Sequence, residues 1–175
     1  MFLIMLRDKI TASLEAAFSQ YGFAEPSVAQ LKTACNVSLR TLYKYYPSKE
    51  AMIVGALEYR HQRYLSFLQN ESPSCSVESA LHIFNKLEQW MKEYAPHGCL
   101  SMNAIAAFPD NPHIMKAVEE HKKEVRLLLG QQIQREDLSM ALFLLHEGVS
   151  SAWPVLGEEA ITSAQKALLQ LMERG

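Results

Sequence analysis

The chain has 175 residues, 49% of them hydrophobic, with a formal net charge of −2 and cysteines at positions 35, 75 and 99. This apolar content excludes a disordered chain, the length fits one large or two small domains, and the near-neutral charge excludes a general polyanion binder. An odd number of cysteines without paired or metal-type spacing excludes a disulfide scaffold and fits a reducing cytoplasm. The first predicted helix runs from about Leu6 to Tyr21, with Ile10, Leu14, Ala17, Phe18 and Tyr21 on one stripe, and Gly22 stops it. Met1 to Leu6 is its lead-in, too short and without the basic leader of a signal peptide.

Ser27 is a good N-cap for a second helix, and Val28 and Leu31 give that helix an apolar side. A tight turn follows at Cys35, Asn36 and Val37, where Asn36 is the best non-glycine residue for the positive φ such a turn requires. Ser38 caps a third helix in which Leu42 faces inward. Leu39, Arg40, Thr41, Tyr43, Lys44 and Tyr45 supply the outward candidates for groove and phosphate contact. Pro47 closes this helix, and Ser48 caps the next with Lys49 in its first turn, a corner suited to anchoring a phosphate rather than reading a base. Between Pro26 and Glu50 there are four basic residues and one acid, whereas the chain as a whole is acidic. Residues 1–60 hold 7 basic and 5 acidic residues (+2) and residues 61–175 hold 10 and 14 (−4), the asymmetry of a DNA-binding head on an acidic body.

The fourth helix continues from Ser48 past Arg60 to about Leu68, and residues 70–74 form the clearest loop. Ser76 or Ser74 caps a fifth helix to about Tyr94, with Leu81, Phe84, Leu87, Trp90 and Met91 inward. Pro96-His97-Gly98 breaks it. A short helix from Cys99 to Ala107, a long one from Pro112 to about Gln134, and two more at 138–156 and 158–174 complete nine. No segment alternates with a period of two for long enough to be a strand, and no repeat is visible, so an all-α fold is expected. No window reaches the ~18 apolar residues of a membrane helix, which predicts a soluble cytoplasmic protein without a membrane partner.

Gly22-Phe23, Ser27, Leu31, Val37-Ser38, Thr41-Leu42-Tyr43-Lys44-Tyr45-Tyr46 and Ser48-Lys49-Glu50, in that order, resemble the N-terminal domain of TetR-family transcriptional regulators. The resemblance covers roughly the first third of the chain. Lys32, Cys35, Asn36 and Arg40 depart from the usual pattern, and Arg40 in the reading helix points to an operator of its own, with guanine read through a bidentate contact. The resemblance implies a three-helix helix-turn-helix DNA-binding domain over residues 1–47 and a helical effector-binding and dimerisation domain over residues 48–175. It also implies a homodimeric, ligand-released repressor of a palindromic operator, with double-stranded DNA, a second copy of the chain and an unknown small-molecule effector as partners. Ser27, Ser38, Leu39, Arg40, Thr41, Tyr43, Lys44, Tyr45 and Lys49 are then the DNA-contact set. The last two helices would pair with their copies through Ala141, Leu142, Leu145, Gly148, Ser151 and Ala152, residues that serve equally well as ordinary core.

An effector cavity in the body would draw on Trp90, Tyr94, Cys99, Met102, Asn103, Phe108, His121, Met140, Phe143 and Trp153, a mostly apolar wall with few polar groups. Aromatic and methionine stripes at helical spacing are also what a plain core looks like. Gly98 and the helix after it place Cys99 near free N–H groups, the setting of a reactive thiol, and Gly-Cys-Leu there resembles sequences of TetR-like regulators that sense oxidants or electrophiles. His113 and His121 lie two helical turns apart, too far to share one ion, so no metal and no cofactor are expected. No Ser-His-Asp spacing, phosphate-cradling glycine loop or carboxylate pair points to catalysis, and no enzyme is expected. The alternative reading is an all-helical protein-interaction module that uses the basic corner for a protein partner.

Overall fold

The sequence folds into helices separated by the turns its glycines, prolines and capping serines dictate; the structure, a computed structural model, describes residues 2–73 and 76–173. Met1, Ser74, Cys75, Arg174 and Gly175, and with them one alternative cap, one thiol and the end of the last helix, lie outside the described residues; the expected lead-in is already helical from Phe2. In chain order the elements are α1 (Phe2–Tyr21), α2 (Val28–Ala34), α3 (Leu39–Tyr45), α4 (Lys49–Gln69), α5 (Ser76–Glu93), α6 (Leu100–Ala107), α7 (Pro112–Gln132), a 3₁₀ turn (Glu136–Leu138), α8 (Ser139–Leu156) and α9 (Glu158–Glu173). No strand occurs among the described residues, so the fold is all α.

Two compact units divide the chain: Met1–Arg63 with Leu100–His121, and Tyr64–Cys99 with Lys122–Gly175. In the first, Ile10, Leu14, Ala17 and Phe18 form the buried stripe of α1, and Phe18 stacks on Phe23 at 5.0 Å between centroids. Leu31 of α2, Leu42 of α3 and Met52, Ile53, Ala56 and Leu57 of α4 join the same core. Each fully buried side chain of this kind contributes roughly 1.5–3 kcal/mol. Tyr21, expected on the inward stripe, ends α1 instead with 57% of its surface exposed, because Gly22 at φ +75° turns the chain away before another turn can cover it. One polar knot ties α1 to α4: Glu15, 7% exposed, accepts from Arg60 and from Arg63 at 3.0 Å. Two guanidiniums on one buried carboxylate leave neither of its oxygens unsatisfied.

In the second unit α5, α8 and α9 pack on one another around Phe84, Leu87, Trp90, Leu142, Val149, Ile161 and Leu168. α5 begins at Ser76, and the Ser76 hydroxyl donates to the Ile133 carbonyl at 2.6 Å, a bond that serves packing rather than the expected cap. α7 stops at Gln132, two residues earlier than expected, and Gln134 takes φ +55°. Gly98 sits at φ +91°, and a β-carbon there would stand 3.3 Å from Pro154 Cγ and 3.4 Å from the Ser150 carbonyl oxygen. Pro154 lies inside the last turn of α8 and has no N–H to give that carbonyl, which is why backbone can approach it there.

Candidate nucleic-acid interface

Three short-range devices in the sequence build the helix-turn-helix. The Ser27 hydroxyl accepts from the Gln30 N–H at 3.3 Å while the Gln30 side chain accepts from the Ser27 N–H at 2.8 Å, a reciprocal capping box that starts α2. The Ser38 hydroxyl accepts from the Thr41 N–H at 3.0 Å and starts α3. Between them Asn36 adopts φ +52°, the left-handed conformation the turn needs, so the geometry survives without glycine. Cys35, just before the turn, is buried with its thiol pushed up to about 11 by burial, which marks it as packing rather than chemistry.

α3 buries Leu42 and turns Leu39, Arg40, Tyr43 and Lys44 outward, with Leu39 and Tyr43 each 45% exposed. An exposed leucine and tyrosine on one face with Arg40 and Lys44 is a surface able to meet a base edge, a thymine methyl and phosphates together. Ser27 and Ser38 are exposed but have their hydroxyls engaged in capping, and Thr41 is half-buried with Oγ1 2.9 Å from Ser38 Oγ. Tyr45 is half-buried against the core of its unit, with the Lys44 ammonium 5.9 Å from its ring centroid. Tyr46, part of the motif that carries the resemblance but not of the expected DNA-contact set, is buried at the end of α3 and hydrogen-bonds Thr11. Thr11 in turn donates to the Arg7 carbonyl at 2.8 Å, so the phenol must be the donor to Thr11.

Lys49, expected to anchor a phosphate, has a hydrogen-bond partner within the chain. Its ammonium donates to the Ala24 carbonyl at 2.9 Å, across the loop between α1 and α2. Burial lowers its pKa and nearby Glu25 opposes that shift. A cleft of about 850 Å³ lies against α2, lined by Tyr21, Glu25, Pro26, Gln30 and Thr33 among others, and none of the ten residues expected around an effector lines it.

Those ten fall in both units. Met102, Asn103, Phe108 and His121 belong to the first; Met102 and Asn103 are exposed, Phe108 packs on the core, and His121 is buried. The His121 ring stacks on His61 at 4.1 Å and its Nε2 lies 2.7 Å from Glu58. Burial pushes the Glu58 carboxyl upward, but its hydrogen bonds with His121 and Gln62 outweigh that and lower it. Trp90, Tyr94, Cys99, Met140, Phe143 and Trp153 belong to the second unit. Trp90 and Tyr94 meet at 4.7 Å, Trp90, Phe143 and Trp153 share one core, and Met140 is exposed.

The second unit also holds a polar chain that the sequence reading missed. Tyr64 bonds His146 Nε2, His146 Nδ1 lies 3.0 Å from Glu147, Glu147 accepts from Lys122 at 2.6 Å, and Lys122 lies 3.3 Å from Cys99 Sγ. An ionised Glu147 only accepts, so Nδ1 carries the proton and Nε2 accepts from the Tyr64 hydroxyl. Burial lowers the pKa of His146. Burial would raise Glu147, but the His146 bond and the Lys122 ammonium overcome it and bring the carboxyl to about 2. Burial would likewise lower Lys122, and the Cys99 sulfur and Glu147 reverse it into a raised value. The available signal was the phase of α8: residues 142, 146, 149, 150 and 153 are its buried stripe, and a histidine inside such a stripe needs partners. Among the described residues no group of three His, Cys, Asp or Glu is arranged to hold a metal, and no helix is long and apolar enough to cross a membrane.

Residues 10–56 match the model of the family described as "Bacterial regulatory proteins, tetR family". No curated protein matches the sequence. Among solved structures the fold is similar to a TetR-family transcriptional regulator from Streptomyces coelicolor, with TM-score 0.84 and 15% identity over 97% of this chain and 95% of that one. It is similar to the reduced form of E. coli NemR, with TM-score 0.77 and 22% identity over 94% and 96%. A TetR transcription regulator from Haloarcula marismortui has TM-score 0.80 and 13% identity over 94% and 95%. At these identities the likeness is one of fold.

Proposed function

We propose that this chain is a TetR-family regulator, a reading supported by the match of its N-terminal domain and by its fold, and that it acts as a homodimer that reads a palindromic operator through α3 and is released from it by a small molecule. The observation that carries the reading is the capped helix-turn-helix presenting Leu39, Arg40, Tyr43 and Lys44 on one open face. One helix of seven residues covers only a few base pairs, so useful specificity calls for two copies on half-sites about one DNA turn apart. The functional division proposed is reading by residues 1–47 and effector binding and dimerisation by residues 48–175.

A surface for the second copy is available on α8. Met140, Leu144, Gly148, Ser151 and Val155 follow one another at helical spacing, with Leu144 62% and Val155 86% exposed and nothing within 4 Å of a β-carbon at Gly148. A continuous apolar and small stripe left open on a single chain supports pairing with its own copy. Leu142, expected on that surface, is buried in its own unit, and Ala141, Leu145 and Ala152 are half-buried; only Gly148 and Ser151 of the expected set lie on the open stripe.

The effector is proposed to bind in the second unit near Trp90, Tyr94, Phe143 and Trp153, where aromatic walls adjoin the Tyr64–His146–Glu147–Lys122 chain. α4 is packed in that core through Leu68 and in the reading unit through Met52, Ile53 and Leu57. An effector that binds two positions of α4 with different affinity would thus alter how α3 is presented. Cys99 beside Lys122 supports oxidants and electrophiles as a second class of effector to screen. The experiment is selection of duplexes from a random pool with the purified chain: a recovered motif with two-fold symmetry supports the reading, and a pool without enrichment contradicts it.

A further inference from the structure

We propose that Lys49 is a positioning residue for the reading helix, a clasp between the start of α4 and the loop that starts α2. The inference rests on the DNA-binding reading above. Lys49 is the first residue of α4, and that helix end is already served by the Ser48 hydroxyl, which accepts from the Ala51 N–H at 3.0 Å. The Lys49 side chain gives an N–H to the Ala24 carbonyl at 2.9 Å. Ala24 lies outside any helix, in the exposed loop between α1 and α2, so no helical ladder occupies its carbonyl and the Lys49 ammonium can reach it. The ammonium is taken partly out of water to make this bond, as the direction of its shift records.

The consequence follows from what the clasp joins. Ala24 stands three residues before Ser27, the cap that begins α2, and α3 lies in the chain between α2 and α4. At one end α3 is fastened to α2 by the Asn36 turn, and at the other it is fastened to α4 through buried Tyr46 and the short link to Ser48. With both ends tied, the direction of α3 depends on how far the starts of α2 and α4 stand apart. Lys49 sets that distance with a charge-assisted bond, stronger than a neutral one. Loss of the clasp therefore misdirects α3, which harms recognition of the right sequence more than attachment to any sequence. A lysine that only touched phosphate would do the reverse: both kinds of duplex would be lost equally, with a smaller dependence on salt.

The test compares the wild-type chain with Lys49→Met, which keeps the apolar stem without the donors, and Lys49→Arg, which keeps a donor. Binding is measured by fluorescence anisotropy to the duplex selected from the random pool and to a scrambled duplex of the same composition, at several salt concentrations. The clasp predicts that Lys49→Met lowers the ratio of selected to scrambled affinity about tenfold with the salt slope unchanged, and that Lys49→Arg keeps most of the ratio. Equal loss on both duplexes with the slope smaller by about 0.9 per protomer overturns it and makes Lys49 a phosphate anchor. An unchanged ratio overturns it as well. Should the wild-type chain bind both duplexes alike, the DNA-binding reading fails, and backbone amide exchange at residues 27–31 decides the clasp alone: faster exchange in Lys49→Met supports it and unchanged exchange overturns it.

Discussion

Tyr46 lays its ring against the α-carbon of Gly55: a β-carbon at position 55 would stand 2.4 Å from Tyr46 Cε1 and 3.0 Å from Cζ. The contact fixes the end of α3 on α4, because the same phenol is bonded to Thr11 of α1. In an open helix interior, alanine for glycine stabilises by about 1 kcal/mol. Here Gly55→Ala is expected to destabilise by about 1–3 kcal/mol, the cost of forcing an extra methyl into a packed site. Chemical denaturation checks the sign, and the double variant Gly55→Ala with Tyr46→Leu should recover part of the loss.

Stability should fall on acidification through His146 and Glu147. Both have folded-state pKa values lowered, from 6.5 for His146 and from 4.5 to about 2 for Glu147. A lowered folded pKa means that the unfolded chain binds the proton first, so the contribution is complete above the unfolded value and lost as pH falls toward the folded one. The His146 part disappears below about pH 6.5 and the Glu147 part between about pH 4.5 and 2, the latter on the order of 3 kcal/mol. Thermal melting across pH 7 to 3 should show a falling midpoint, with the upper portion flattened in His146→Gln and the lower in Glu147→Gln. A wild-type midpoint independent of pH would contradict the polar chain.

The α8 stripe makes a separate prediction about assembly. Leu144 is 62% exposed in one chain, so Leu144→Glu should cost folding less than about 0.5 kcal/mol. In the proposed dimer it buries a charge opposite its own copy. Analytical ultracentrifugation should find the wild-type chain at twice 19.8 kDa and the variant at or near 19.8 kDa with an unchanged circular dichroism spectrum.

Arg40 and Lys44 share a face but should fail differently. Arg40→Ala is expected to cost about 1–3 kcal/mol on the selected duplex and to relax base preference at one position in each half-site. Lys44→Ala should weaken all duplexes alike and reduce the salt slope by about 0.9 per protomer. Competition binding against duplexes with single base changes separates the two, and identical behaviour would remove one of the assigned roles.

The local signals in the sequence were strong wherever one residue did one job. Ser27, Asn36, Ser38 and Ser48 each sit where their capping or positive-φ preference requires, and the helix order follows from them. Leu142 was less legible, because an apolar residue on an amphipathic helix suits its own core and a partner equally, and only neighbouring helices decide. Lys49 was readable as a cation at a helix start but not as the partner of Ala24, since nothing in the spacing of the two reveals a contact 25 residues apart. The phase of α8 marked His146 as a buried residue in need of partners, but which partners was hidden for the same reason: Tyr64 and His146 lie 82 positions apart. His61 and His121 were likewise unconnected until α4 and α7 brought their rings to 4.1 Å.

Sequence-specific recognition by α3 is the central claim, and fluorescence anisotropy of the purified chain against the selected and scrambled duplexes across a salt series tests it most directly. The account predicts affinity for the selected duplex at least about 10³-fold above the scrambled one at moderate salt, with both curves steepening as salt falls. Equal, weak and salt-sensitive binding to both would contradict it, leaving a basic corner that attracts DNA without reading it.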